Sequence, residues 1–181
     1  MGRSKQLLPF RGKTLLRGAA EAALSSGCHP IVVVLGPDYD ECIAELNGLE
    51  VQTVRNADWS DGIDSSIRCG IRQLISRRPE VEGAAIMLCD QPFVTGRLID
   101  SLVAEFRAGF GEIVATDHGD SAEVPAIFAG SLFESLCSLP ADQGANTLIA
   151  ANGGKVSRVA MPVMVDIDTP EDYEALMLEN R

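Results

Sequence analysis

Two continuous apolar runs limit the possible folds of this chain. The run IVVVLG at 31–36 is rich in β-branched residues, and the run GAAIMLCD at 83–90 ends at an acid. Apolar runs without polar alternation are typical of strands that are buried on both faces, as in a parallel sheet covered by helices. Helical spacing of apolar residues appears over 14–26, 61–77 and 95–107. The alternation predicts an α/β fold with a Rossmann-like, mostly parallel sheet flanked by helices.

Shorter elements complete this expected pattern. Ligands in such sheets bind beyond the carboxyl ends of the strands, so functional residues are expected in the loops that follow strands. Further strands are expected at 51–56, 112–117, 124–130, 156–161 and 163–168, and further helices at 38–46, 131–138, 143–152 and from Thr169 onward.

Composition and charge argue against several classes of function. The 181 residues are enough for one domain with a sizeable core, and a net charge of −11 argues against nucleic acid or an anionic membrane as partner. No apolar run is long enough to span a bilayer, and no apolar signal segment opens the chain. The five cysteines form no CxxC pair, which favours reduced thiols in the cytoplasm, and His29 and His118 lack the spacing of zinc ligands.

Two expected strands end in carboxylates. Asp90 ends the strand at 83–90, and Asp166 and Asp168 end the strand at 163–168, two residues apart and therefore on one face. Acids at the carboxyl ends of two strands are able to hold Mg²⁺, which prefers oxygen ligands. The alternative is structural: Asp90 begins a turn with Pro92, and Asp168 precedes a helix that Thr169 caps.

The N-terminal GRSK is a candidate phosphate site with the same ambiguity. Gly2 permits close approach of the backbone, and Arg3 and Lys5 supply positive charge. A solvated chain terminus is the alternative.

The stretch RNADWSDGIDSSIRCGI at 55–71 joins a strand to a helix. Asn56 is a candidate for reading a base or ribose edge, and Gly62, Ser65 and Ser66 are candidates for facing a ligand. An ordinary capped helix with Trp59 used for packing explains the same residues.

Six stretches occur in an order that indicates a family. They are MGRSKQLLPFRGKTLL, RNADWSDGIDSSIRCGI, LCDQPFVT, VPAIF, DQGANTLI and VDIDTPEDY. Together they resemble the MobA-like nucleotidyltransferases and are most similar to the molybdenum cofactor cytidylyltransferase branch. The resemblance covers nearly the whole chain, and it implies a single domain over 1–181 with the nucleotide-diphospho-sugar transferase type of fold.

The resemblance also implies that the chain begins inside a family motif. In the family, a strand and a loop of the form L-A-A-G-x-S-x-R-M-G-x-x-K come first, and Gly2, Arg3 and Lys5 match the second half of that loop. The first strand is absent here, so we expect an N-terminally truncated domain, with a degenerate family member as the alternative. Glu123 is a second departure, because glycine is commoner before the Val-Pro pair.

The implied reaction transfers CMP from CTP to the terminal phosphate of a molybdopterin-type cofactor and releases pyrophosphate. Asp90 would hold Mg²⁺ with Asp168 as its partner, and Lys5 would be catalytic by neutralising the β- and γ-phosphates. The acceptor would lie against 124–146, and a molybdenum hydroxylase is the implied recipient of the product. The other implied nucleotide-binding residues are Gly2, Arg3, Asn56, Gly62, Ser65 and Ser66.

Other functions stay open at this point. Within the enzyme class, GTP or another phosphorylated acceptor such as a sugar phosphate is the nearest alternative. The alternative outside the enzyme class is a non-catalytic protein that holds a nucleotide or cofactor and delivers it to a molybdenum enzyme. Covalent hydrolysis is not expected, since no Ser-His-Asp or Cys-His pair is recognisable in the sequence.

Overall fold

The computed structural model describes residues 4–161 and 165–179. Apolar stripes at helical spacing produce helices close to the expected positions. Thr14 and Thr95 cap the helices that follow them, because each hydroxyl accepts a hydrogen bond from the backbone N–H three residues on. The helices are α1 (Leu15–Leu24), α2 (Tyr39–Glu45), α3 (Ile63–Arg77), α4 (Gly96–Arg107), α5 (Phe133–Cys137), α6 (Ala145–Ala151) and α7 (Pro170–Glu179).

The strands of the described residues form three separate sets. A short antiparallel hairpin and a parallel pair accompany a four-stranded sheet. The hairpin is β1 (Pro9–Phe10) with β2 (Lys13–Thr14), the parallel pair is β3 (Val32–Leu35) with β4 (Gln52–Arg55), and the larger sheet has the order β5 (Gly83–Ile86), β7 (Ala122–Ala129), β6 (Ile113–Asp117) and β8 (Val156–Ala160).

The α/β architecture is confirmed, and the sheet is mixed. β3 with β4 and β6 with β8 pair in parallel, whereas β7 runs antiparallel to both β5 and β6. The direction of β7 follows from the short connection after β6, where the N–H of His118 donates to the carbonyl of Ser121 over 2.9 Å. A connection this short joins antiparallel strands, because a parallel pair needs a long crossover.

Two expected strands differ from the observed ones. The run at 83–90 is a strand only as far as Ile86, which lies opposite Ala126 of β7. The next residue of β7 is Pro125, which has no N–H to extend the ladder. Of the strand expected at 163–168, residues 163 and 164 lie outside the described residues, and residues 165–168 form an irregular segment that leads into α7.

The main core lies between the mixed sheet and the helices on its two faces. Ala126 and Phe128 of β7 pack in a cluster with side chains of α3, α5 and α6, whereas Ile127 packs with Leu102 of α4. Alternation along β7 therefore places helices on both sides of the sheet. No helix among the described residues is long and apolar enough to cross a membrane.

Candidate active site

A lysine bridges two carboxylates at the carboxyl edge of the fold. Lys5 begins a short 3-10 helix, Lys5–Leu7. Its Nζ lies 2.6 Å from Asp90 Oδ2 and 2.9 Å from Asp168 Oδ1. The three candidate residues therefore come together although Lys5 and Asp168 are 163 residues apart in the chain.

Backbone hydrogen bonds hold the two acids in place. The N–H of Ile167 donates to the carbonyl of Asp90 over 3.1 Å. Beyond Asp168, α7 begins with a reciprocal cap: Asp172 N–H donates to Thr169 Oγ1 over 3.1 Å, and the Asp172 carboxylate accepts from the N–H of Thr169 over 2.7 Å. The cap predicted at Thr169 is thus confirmed, and it fixes the segment that carries Asp168.

The cluster carries excess negative charge. Burial acts to lower the pKa of Lys5, but hydrogen bonds and charges from Asp90 and Asp168 outweigh it and raise that pKa above 10.5. Partial burial, followed by the charges of Asp90 and Asp168, raises the pKa of Asp166 above 3.8 against the opposing effect of Gln91. Lys5 therefore pairs with two carboxylates, and Asp166 lies close enough to be affected by their charge. Because the carboxylates outnumber the ammonium group, the site favours the approach of a further cation.

The carboxylates also fit a divalent cation. Asp90 Oδ1 is buried and has no hydrogen-bond partner among the described residues. An unpartnered, buried carboxylate oxygen is suited to Mg²⁺, which takes one or two protein carboxylates and completes its shell with phosphates and water. The described residues contain no cluster of three or more His, Cys, Asp or Glu arranged around one metal position. Asp90 and Asp168 would therefore share the ion with oxygens of the substrate.

A buried asparagine organises the loop that follows β4. Asn56 Nδ2 donates to Ser65 Oγ over 2.8 Å and to Ser66 Oγ over 3.0 Å, and Asn56 Oδ1 accepts from the N–H of Asp58. Ser65 Oγ donates to the carbonyl of Gly62 over 2.7 Å. These bonds make Asn56 an internal support of the loop, and its contact with base or ribose stays a prediction.

The same loop is joined to the loop before α6. Gly62 has φ of 119°, and a Cβ built there would lie 2.5 Å from Asp142 Oδ1, so only glycine fits. Asp64 is buried, accepts from the N–H of Asp142 over 3.0 Å and pairs with Arg68 over 3.3 Å. The expected nucleotide and acceptor sides therefore meet at Asp64.

Gln91 links the acid cluster to the expected acceptor side. Its Nε2 donates to the carbonyl of Val124 over 3.0 Å, and the N–H of Val124 donates to Asn146 Oδ1 over 3.0 Å. Gln91 Oε1 is buried without a partner among the described residues. Glu123, which departs from the family pattern, accepts a hydrogen bond from Asn146 Nδ2 over 3.4 Å.

A cavity of about 750 Å³ lies beside the candidate residues. Gly62 and Ser66 line it, together with Gln6 and Cys89, the sequence neighbours of Lys5 and Asp90, whereas Lys5, Asp90 and Asp168 themselves do not. Gly2 and Arg3 lie outside the described residues, so their roles stay predictions.

Sequence reasoning did not single out Asp64 or Gln91. Asp64 looks like a first-turn acid of an ordinary helix, and its bond to Asp142 spans 78 residues. Gln91 follows Asp90 directly, and its position beside a candidate metal ligand is the local signal that could have identified it.

The fold and this edge of polar residues define an α/β domain with a cluster of charged and polar side chains beyond the carboxyl ends of its strands, where domains of this class bind ligands. The family model described as "MobA-like NTP transferase domain" matches residues 1–156. The chain belongs to this family of nucleotidyltransferases, and the family resemblance of the sequence is confirmed.

Three individual proteins show what else the chain is similar to. A curated relative from Paenarthrobacter nicotinovorans, named nicotine blue oxidoreductase, is 34% identical over 120 residues, which are 66% of this chain and 57% of that protein. The protein Rv0371c of Mycobacterium tuberculosis H37Rv, solved as a complex with manganese, is 27% identical with a TM-score of 0.78, covering 98% of this chain and 93% of that one. A nucleotidyl transferase from Methanothermobacter shares the fold with a TM-score of 0.79 at 21% identity, covering 98% and 86% of the two chains.

Proposed function

We propose that this protein transfers CMP from CTP to the terminal phosphate of a molybdopterin-type cofactor, with Mg²⁺ as the metal and pyrophosphate as the second product. The observation that carries the proposal is the position of Lys5 Nζ between Asp90 and Asp168 at the carboxyl edge of the strands. A phosphoryl-type transfer depends on positioning and charge neutralisation, and this cluster offers both.

The chain's own residues divide the work in this proposal. Asp90 and Asp168 hold Mg²⁺, which when bound neutralises phosphate charge. Lys5 is protonated at neutral pH, as lysines ordinarily are, and Asp90 and Asp168 raise its pKa further against the effect of burial. It binds the phosphates and stabilises the pyrophosphate as it leaves. The in-line attack comes from an oxygen of the acceptor phosphate and needs no nucleophile from the protein.

The acceptor is assigned to the surface between Gln91 and Asn146. Gln91 Oε1 is an unpartnered buried acceptor, and a pterin ring carries N–H groups that are able to donate to it. The base and ribose are assigned to Gly62 and Ser66, which Asn56 supports through its bond to Ser66.

Release of pyrophosphate tests the reaction. The full chain is incubated with CTP or GTP, a molybdopterin-type acceptor and Mg²⁺, and pyrophosphate is measured with and without acceptor. We expect acceptor-dependent release with CTP, a loss of at least about 100-fold in Asp90→Asn, and an unchanged rate in the exposed control Glu174→Gln. Preference for GTP would move the chain to guanylyl transfer, release with a sugar phosphate would reassign the acceptor, and nucleotide binding without release would favour a carrier.

A redox activity is the second candidate, because the relative at 34% identity is named an oxidoreductase. The two candidates separate in a direct assay. Reduction of nicotine blue by this chain with an added nicotinamide hydride donor, in the absence of any nucleoside triphosphate, would favour the redox activity. Dependence of turnover on CTP and Mg²⁺ favours transfer.

A further inference from the structure

A hydrogen bond joins two loops that the proposed function assigns to different substrates. The nucleotide loop, residues 56–66, follows β4, and the acceptor loop, residues 138–144, leads into α6. Asp64 Oδ1 accepts from the backbone N–H of Asp142 over 3.0 Å, although the two residues are 78 positions apart in the chain. This contact, which we call the interloop bond, therefore fixes the two loops relative to each other.

The carboxylate of the interloop bond is buried and held in one orientation. Asp64 is only 4% exposed, although it lies in the first turn of α3. Its second oxygen, Oδ2, pairs with Arg68 Nη1 over 3.3 Å, one helical turn further along α3, while Oδ1 meets the N–H of Asp142. Separating the loops would leave a buried carboxylate oxygen without its donor, which is unfavourable, so the bond resists that movement.

The two loops also touch beside the interloop bond. A Cβ built on Gly62 would lie 2.9 Å from the backbone nitrogen of Asp142, and one built on Gly144 would lie 3.6 Å from Ile63 Cγ2. Asp142 has a left-handed φ of 60°, which a residue other than glycine keeps where its surroundings impose it. A displacement of the nucleotide loop is therefore transmitted to Asp142 by packing as well as by the bond.

The nucleotide loop is a single hydrogen-bonded unit that ends at the interloop bond. Asn56 Nδ2 donates to the hydroxyls of Ser65 and Ser66, and Ser65 Oγ donates to the carbonyl of Gly62 over 2.7 Å. Gly62 and Ser66, which are assigned to the base and ribose, lie within two residues of Asp64. A nucleotide that orders these residues therefore also orders the acceptor of the interloop bond.

The acceptor loop continues from Asp142 to the surface assigned to the acceptor. Asn146 lies four residues further on, in the first turn of α6, and its Oδ1 accepts from the N–H of Val124 over 3.0 Å. The carbonyl of Val124 in turn accepts from Gln91 Nε2 over 3.0 Å. Short, defined contacts therefore connect Asp64 to both ends of the surface between Gln91 and Asn146.

We propose that Asp64 is a positioning residue that couples the two substrates: CTP bound with Mg²⁺ at the nucleotide loop orders the acceptor loop through the interloop bond, and the acceptor then binds more tightly. This inference rests on the proposed function. Residues 140–142 at the tip of the acceptor loop are exposed, so without the interloop bond the acceptor itself would have to order them. Because coupling is reciprocal, the acceptor tightens the binding of CTP by the same factor.

Calorimetric titration of the full chain with CTP and Mg²⁺, with and without molybdopterin as the acceptor, measures the coupling. We expect molybdopterin to tighten CTP binding at least about fivefold in the unsubstituted chain and less than about twofold in Asp64→Ala. Asp64→Asn keeps an oxygen for the N–H of Asp142 and should retain the coupling. The matched control Arg68→Gln removes the charge that faces Asp64 Oδ2 but leaves the interloop bond, and it should retain the coupling too.

Amide hydrogen exchange tests the same link without an acceptor, with β6 as the measure of general stabilisation. In the unsubstituted chain and in Asp64→Asn, CTP with Mg²⁺ should slow exchange over 142–146 at least about fivefold more than in β6. In Asp64→Ala the two regions should be slowed equally.

The outcomes separate this inference from the proposed function. Absence of CTP binding in the unsubstituted chain would overturn both. CTP binding that molybdopterin tightens less than about twofold in the unsubstituted chain would overturn the coupling alone, whatever the variants do. Equal coupling in the unsubstituted chain and in Asp64→Ala, or a loss in Arg68→Gln as large as that in Asp64→Ala, would overturn the role of Asp64.

Discussion

Lys5→Gln tests whether the ammonium group is needed to balance the acid cluster. Lys5 and Asp90 side chains are 27% and 16% exposed and lie 2.6 Å apart, whereas Asp168 is 73% exposed. An exposed pair contributes up to about 1 kcal/mol, and removing one partner of a buried pair costs about 3–5 kcal/mol. Because the exposure of Lys5 and Asp90 is intermediate, we expect Lys5→Gln to lower the free energy of unfolding by about 2 kcal/mol, most of it from the lost contact with Asp90.

A loss of this size lowers the melting temperature by about 4–8 °C for a chain of this length. We expect that shift in thermal unfolding at pH 7 without divalent metal, and no shift in the exposed control Lys155→Gln. Millimolar Mg²⁺ should restore most of the lost stability in Lys5→Gln while stabilising the unsubstituted chain less, because the metal ion replaces the missing positive charge. An unchanged melting temperature, or equal stabilisation of both proteins by Mg²⁺, would refute the reasoning.

Three further predictions concern stability and reactivity. Asp64→Ala removes a buried carboxylate that accepts a hydrogen bond from the N–H of Asp142, and it should cost about 2 kcal/mol in chemical unfolding, whereas Asp64→Asn keeps an acceptor and should lose less. The hydrogen bond from Lys13 lowers the pKa of Glu21 below 4.5, so the pair stabilises the fold above that pH and the contribution disappears as the pH falls through the lowered pKa. Glu21→Gln should therefore lower the melting temperature by about 1–2 °C at pH 7 and not at pH 2. Burial and the adjacent acid raise the pKa of Cys89 to about 12, so mass spectrometry at pH 8 should find Cys89, together with the fully buried Cys42, alkylated after the other thiols; early alkylation of Cys89 would contradict this.

Local patterns were sufficient to predict the helices. The helix beginning at Gly96 follows the predicted cap at Thr95, and α7 follows the predicted cap at Thr169, since capping and periodicity depend on neighbouring residues alone. The hairpin of β1 and β2 was not predicted, because strands of two residues carry no periodic signal. The antiparallel direction of β7 was missed because apolar runs do not specify strand direction.

The candidate site likewise contains residues that local patterns predict and residues that they do not. Asp90 and Asp168 were predicted to meet because each was expected at the end of a strand. The structure brings both to Lys5, although Asp168 lies in an irregular segment. The bond of Asp64 to Asp142 and that of Gln91 to Val124 depend on how distant loops pack, which no local pattern records.

A calorimetric titration with CTP and with GTP, each with and without Mg²⁺, tests the central claim most directly. It is made on the full chain and on Asp90→Asn beside Glu174→Gln. The proposed site predicts Mg²⁺-dependent binding that prefers CTP, survives in Glu174→Gln and is lost in Asp90→Asn. Absence of binding in the full chain, or binding that ignores Mg²⁺ and persists in Asp90→Asn, would contradict a nucleotidyl-transfer site at Lys5, Asp90 and Asp168.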